Sequence, residues 1–201
     1  MNSKKQLAVA LSRLQSFEKP SLKLEQYATD SEIAAEIIWT ANQNNDLYNK
    51  VIADLGCGTG ILGIGTMFFH PKKIFFIDKD ERTLKKLESN LKLFEFKNYE
   101  IICTDVTKFN KKVDVVFQNP PFGTKDKHAD KIFLEKAFSI ADVVYSFHKL
   151  STKKFVEAIS QDNGFEITHF FSYDFPLKQT QFYHTRKLHK INVGCWRLKK
   201  K

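Results

Sequence analysis

Apolar residues along the chain follow two alternating rhythms. Leu7, Leu11 and Leu14 recur at helical spacing, predicting an opening helix that runs to about Ser16 before Pro20 interrupts it. Ile33, Ile37, Ile38 and Ala41 repeat the pattern, with Thr29 or Asp30 as cap and Glu32 in the first turn. Short unbroken apolar runs follow: Val51–Leu55, Ile74–Ile77, Tyr99–Cys103, Val113–Phe117 and Val143–Phe147. Each has the length of a strand buried on both faces. Helical stretches lie between them, near Ile61–Phe69, Asp80–Leu93, Lys131–Ala141 and Thr152–Gln161. The end changes character, because Phe165–Tyr173 and Leu188–Leu198 read as two strands joined by a long polar loop. Strand–helix alternation closed by an antiparallel pair predicts an α/β fold, a doubly wound and mainly parallel sheet with a C-terminal antiparallel β-hairpin. No repeat or Pro/Gly-rich linker divides the 201 residues, so a single domain is expected.

Composition narrows the class. A chain that is 42% hydrophobic and 27% charged has the makeup of a globular protein, not of a disordered one. No run of about 18 apolar residues appears, and Met1-Asn2-Ser3-Lys4-Lys5 carries no apolar signal core, so neither a membrane span nor export is expected. Cys57, Cys103 and Cys195 are odd in number and form no CxxC, which argues against a disulfide framework and against a metal site. A cytoplasmic location is the corresponding expectation. The net charge of +9 is unevenly placed. From Phe175 to Lys201 there is no acidic residue and there are eight basic ones, interleaved with Phe182, Tyr183 and Trp196. A localised basic segment with aromatic residues is the footprint of a nucleic-acid binder, and a solvated tail is the alternative.

Asp54-Leu55-Gly56-Cys57-Gly58-Thr59-Gly60 follows the first apolar run and precedes a helix. The dinucleotide pattern G-x-G-x-x-G would need a glycine where Ile61 stands, and no Gly-Lys-Ser/Thr follows to make a P-loop. D-L-G-C-G-T-G instead resembles the first motif of the class I S-adenosylmethionine-dependent methyltransferases. Asp78 ends the second strand, where a carboxylate can accept ribose hydroxyls, or cap the following helix if Asp80 does not. The third strand ends in Cys103-Thr104-Asp105-Val106, and the resemblance places an adenine-binding carboxylate at Asp105.

After the fourth strand comes Gln118-Asn119-Pro120-Pro121-Phe122-Gly123. Two prolines remove backbone donors and stiffen the turn, leaving acceptors free to face a cleft. Asn119 adds a side-chain carbonyl and Phe122 a flat apolar face, which together suit a planar group with an exocyclic NH2. The amine of such a group is a poor nucleophile, and acceptors that draw its hydrogens out of the ring plane favour a more tetrahedral nitrogen. Positioning and electrostatics then carry most of the rate. Among amino-methyltransferases the motif marks those acting on adenine N6, guanine N2 or protein glutamine.

Phe17-Glu18-Lys19-Pro20, Leu24–Thr29, the glycine loop, N-P-P-F-G-T-K and Val144–Lys149 together resemble one family along nearly the whole chain. It is the archaeal and eukaryotic methyltransferase-like family that makes N6-methyladenosine in small-subunit ribosomal RNA. The resemblance implies a Rossmann-like, seven-stranded class I domain: residues 1–45 an N-terminal helical segment closing over the cofactor, 46–163 the cofactor and catalytic core, 164–201 a basic β-hairpin. It implies S-adenosylmethionine contacts at Gln26, Thr29, Asp54, Gly56, Thr59, Gly60, Ile61, Asp78, Asp105 and Val106, and catalysis at Asn119, Pro120, Pro121 and Phe122. Thr59 departs from the second cysteine of eukaryotic members. Ribosomal RNA is the implied partner, with Lys149, Arg186, Lys187 and Lys190 as RNA contacts. A small zinc-binding activator subunit is the other, pairing with a sheet edge for which Phe75-Phe76 or Tyr99–Cys103 are candidates. His148-Lys149 would line the RNA cleft or sit in a solvated loop; His184 and His189 face phosphate or solvent. Other readings stay open: methylation of protein glutamine, DNA adenine or tRNA guanine N2, or a non-catalytic RNA-binding scaffold. Glutamine methyltransferases normally carry an extra N-terminal helical domain, whereas about 45 residues precede the first strand here.

Overall fold

The computed structural model describes residues 1–16, 29–121, 129–176 and 190–201. Two helices, α1 (Lys4–Leu11) and α2 (Ser31–Gln43), precede β1 (Val51–Leu55), α3 (Ile61–Met67), β2 (Lys73–Asp78), α4 (Glu81–Lys92), β3 (Tyr99–Cys103) and β4 (Val115–Gln118). Then come α5 (Ala129–Ile140), β5 (Val143–Lys149), α6 (Lys153–Asp162), β6 (Phe165–Pro176) and β7 (Lys190–Lys200). Helix α1 stops short of Ser16, because the Ser12 hydroxyl turns back to donate to the Val9 carbonyl (2.9 Å). Leu14 still packs on the core without helical backbone. Asp30, not Thr29, caps α2, accepting from the Glu32 N–H (2.8 Å). Asp80 caps α4 through the Arg82 N–H (3.0 Å), which leaves Asp78 for other work.

The strands form one seven-stranded sheet in the order β3-β2-β1-β4-β5-β7-β6. Strands β1 to β5 are parallel; β7 runs antiparallel between β5 and β6, bonded from Val143↔Lys199 to Lys149↔Val193. The terminal pair is therefore part of the sheet, and it extends past the end of β5 to Pro176↔Lys190. Alternation sends one set of side chains to each face. Phe76, Phe117, Tyr145, Phe147 and Cys195 meet α1, α2 and α3, while Val116, Val144, Trp196 and Leu198 meet α5 and α6. No helix among the described residues is long and apolar enough to cross a membrane.

Three expectations change here. Phe75-Phe76 is not an edge, since β2 lies between β1 and β3 and both rings are buried; of the two candidates only β3 borders solvent. Arg197 and Trp196 leave the basic, aromatic footprint, because both point into the protein and are at most 5% exposed. The Arg197 guanidinium makes a two-pronged ion pair with Asp46 (Nε–Oδ2 2.8 Å, Nη2–Oδ1 3.1 Å) and donates to Thr168 Oγ1 (2.7 Å). Tyr145 donates to the same Asp46 carboxylate at 2.6 Å. This buried network ties β5, β7 and the α2–β1 connection together. His148 is the third: it is 1% exposed beneath Trp196, neither in the cleft nor in a solvated loop.

Candidate active site

The order of the sheet makes the site. Strand order reverses between β1 and β4, the place where open α/β sheets bind ligands beyond the carboxyl ends of their strands. Leu55 and Gln118 are paired as the last residues of β1 and β4, so Gly56 and Asn119 begin two adjacent loops at one level. Leu55 also pairs with Ile77 and Asp78 with Cys103, which brings Asp78 and the Cys103–Val106 turn to the same edge.

The first loop is glycine-dependent. Gly56, Gly58 and Gly60 have φ of +66°, +54° and +90°, in the left-handed region that side chains disfavour. A Cβ at Gly56 would stand 2.9 Å from the Phe133 ring, and one at Gly60 would strike Leu87. Ile61 then opens α3. Thr59 is buried, its carbonyl accepting from the Asn90 amide (2.9 Å). The same Asn90 side chain accepts from the Gln15 N–H (2.8 Å) and donates to the Gln15 carbonyl (3.0 Å), clamping the loop to the N-terminal segment. The sequence reading missed Asn90; its signal was a polar residue on the apolar stripe of Leu84, Leu87 and Leu91.

Two carboxylates flank this loop. Asp54 is 2% exposed and accepts from the Gly63 N–H (2.8 Å). Burial pushes its pKa up to about 7, against the Gly63 bond, and the charge of Asp78 adds to the rise. Asp78 accepts from the N–H groups of Gly58 (2.8 Å) and Asp80 (2.9 Å), so it fastens the loop while keeping lone pairs free. Burial raises its pKa too, opposed by these bonds. The Cys57 thiol, driven upward by burial and by both carboxylates, is a neutral group without nucleophilic character. Asp105 accepts from the Thr107 hydroxyl (2.7 Å) and N–H (2.9 Å), bonds that hold its pKa low, and the buried Val106 starts a short 3-10 turn. Left-handed glycines whose side chains would have no room, beside two acidic groups, fit a cationic, nucleoside-bearing ligand.

The second loop carries the acceptor. Asn119 donates its amide to Thr29 Oγ1 (3.0 Å), which links the start of α2 to the end of β4 and sets the amide's orientation. Its Oδ1 is buried and accepts no hydrogen bond among the described residues. Pro120 is buried and Pro121 partly so. No group at residues 118–121 titrates, so this turn holds hydrogens and does not remove them. Lys149 is half-buried at the end of β5. Lys190 opens β7 at the same end of the sheet as Asn119. Gln26, Phe122, Arg186, Lys187 and the side chain of Lys190 lie outside the described residues, as do His184 and His189. Among the described residues no group of three or more His, Cys, Asp or Glu side chains is arranged to hold a metal ion.

Comparison with known proteins follows the same lines. The methyltransferase small domain family matches residues 28–142. MJ0284 of Methanocaldococcus jannaschii is 35% identical over 212 residues, spanning 100% of this chain and 95% of its own. The rRNA N6-adenosine methyltransferase METTL5 of Danio rerio is 38% identical over 165 residues, 79% of this chain and 80% of the relative. Among solved structures, the candidate RNA methyltransferase PH1948 of Pyrococcus horikoshii superposes with a TM-score of 0.90 at 40% identity, covering 100% of this chain and 98% of that one.

Proposed function

The chain belongs to the methyltransferase small domain family of S-adenosylmethionine-dependent enzymes, and on that premise we propose that it methylates N6 of an adenosine in small-subunit ribosomal RNA. When bound, S-adenosylmethionine supplies an electrophilic sulfonium methyl. The residues suited to hold it are those around the first loop: Gly56, Gly58 and Gly60 for close backbone approach, Asp78 for ribose hydroxyls, Asp105 for the adenine amine, Thr29 and Gln26 for the methionine end. Thr59, Ile61 and Val106 complete the wall.

The observation that carries the proposal is the buried Asn119 Oδ1, one residue beyond β4, which has no donor among the described residues. A buried amide oxygen without a donor costs free energy, which a bound N–H relieves. Asn119, fixed by Thr29, accepts one hydrogen of the target amine; a carbonyl of the proline turn accepts the other, and Phe122 stacks on the base. Pinning both hydrogens localises the nitrogen lone pair and aims it, the positioning effect expected to dominate. The naming of METTL5 in Danio rerio as an rRNA N6-adenosine methyltransferase, at 38% identity over most of this chain, supports adenine over glutamine. The basic strand ends at Lys149 and Lys190 flank the same edge, where phosphates would lie. The activator subunit implied by the family would extend the sheet at β3, which pairs on one side only, with β2.

Incubation with methyl-labelled cofactor and small-subunit RNA, followed by nucleoside mass spectrometry, tests the proposal. Labelled N6-methyladenosine is expected. Label on guanosine, on DNA adenine or on protein glutamine, with none on RNA adenosine, overturns it.

A further inference from the structure

A second, buried polar group lies directly beneath the proline turn. Gln118 Nε2 donates to Ser146 Oγ at 2.9 Å, and Ser146 Oγ lies 2.6 Å from His148 Nε2. Ser146 Oγ accepts from Gln118, and the tautomer of His148 decides whether the serine hydroxyl donates to Nε2 or accepts from it. All three side chains are at most 1% exposed, on a face otherwise lined by Val116, Val144, Trp196 and Leu198. Burial pushes the His148 pKa down to about 3, so the ring is neutral at any working pH. Gln118 Oε1, like Asn119 Oδ1, is buried and accepts nothing among the described residues.

Apolar residues would fill these three positions at lower cost, since buried polar groups lose hydration that the two bonds among them replace only in part. Stability therefore does not account for the chain of bonds, and its place does. Gln118 is the last residue of β4, paired with Leu55 on one side and Ser146 on the other. The next residues in line include Pro120 and Pro121, which have no backbone N–H to bond with a neighbouring strand. The turn is thus held by side chains: Asn119 through Thr29 above, and Gln118 from below.

We propose that Ser146 and His148 are positioning residues that act through Gln118 to hold the Asn119-Pro120-Pro121 turn in the geometry that receives the target amine. This rests on the amine-methylating role of the turn given above. Ser146 fixes which way the Gln118 amide points, His148 fixes the serine hydroxyl, and Trp196, edge-on at 5.8 Å, fixes the imidazole.

The test uses the full chain with Ser146→Ala, Ser146→Thr and His148→Phe, the last keeping a ring against Trp196. The expected result for Ser146→Ala and His148→Phe is a kcat lower by about ten- to a hundredfold, the scale of a small misplacement. KM for RNA and cofactor affinity should stay within about twofold, and the melting midpoint should fall by the few degrees that leaving one buried partner unsatisfied costs. Ser146→Thr, which keeps the hydroxyl, should restore most of the rate, and the double variant should lose no more than the worse single one. A kcat that returns to wild type when assayed well below each variant's melting midpoint, or an unchanged kcat in both variants, overturns the proposal. The side-chain amide NMR signal of Asn119, assigned by its loss in Asn119→Asp, gives an arm independent of substrate. It should move or broaden in Ser146→Ala even if RNA adenosine proves not to be the acceptor, and an unmoved signal refutes the positioning role alone.

Discussion

Asp54 offers a stability test that needs no substrate. Its carboxyl is buried in the free protein, and its pKa rises from 3.8 to about 7. A group whose folded pKa lies above its unfolded one binds more protons in the native state between those two values. Stability therefore falls as pH climbs from about 4 to about 7 and is flat beyond. At about 1.36 kcal/mol per pH unit the whole interval is worth roughly 4 kcal/mol, and the accessible part from pH 5 to pH 7 roughly 2.7 kcal/mol. Asp54→Asn keeps an acceptor for the Gly63 N–H and removes the titration. Urea unfolding of both proteins at pH 5, 6, 7 and 8 should give curves that diverge, the variant gaining on wild type by roughly 2–3 kcal/mol across that range. Saturating S-adenosylmethionine, a cation, should shrink the divergence by favouring the ionised carboxylate, and its neutral demethylated product should shrink it less. Parallel stability–pH curves for wild type and Asp54→Asn would refute the burial argument.

Asp46→Ala leaves the Arg197 guanidinium buried without its carboxylate and should cost about 3–5 kcal/mol, visible as a midpoint lowered by roughly 6–20 °C in thermal unfolding. Asp78→Ala should weaken cofactor binding by roughly 1.5–3 kcal/mol in calorimetry, and wild-type affinity in a folded variant would retire the ribose assignment. Replacing Arg186, Lys187 and Lys190 together by Ser should lower RNA affinity. The slope of log affinity on log salt, near −3 for about four phosphate contacts, should flatten by about two units, without a change in cofactor affinity.

Local pattern carried the elements and the chemistry of the two loops. Strands buried on both faces show as unbroken apolar runs, and β1, β2 and β5 were legible for that reason. The glycine loop and the turn at Asn119 were legible as candidates because each is a motif of residues adjacent in sequence. Contacts set by strand order were not. Asp46, Tyr145 and Arg197 meet only because β7 inserts beside β5, and no spacing announces it. The same insertion takes Arg197 out of the basic C-terminal footprint and into the core. Ser146 and His148 stand two apart in β5, an alternation that suggests a solvent face, yet α5, α6 and Trp196 cover that face. Phe75-Phe76 resembles any exposed apolar pair until β3 is seen to cover β2.

The proposed reaction depends on Asn119 Oδ1 receiving the target amine. Single-turnover methyl transfer to small-subunit RNA by Asn119→Ala, with cofactor affinity measured on the same preparation, tests it most directly. A rate at least about a hundredfold below wild type with cofactor affinity nearly intact is expected, the loss that follows when a well-placed polar stabiliser is removed. A rate within a few-fold of wild type, or a loss explained wholly by weaker cofactor binding, would contradict it.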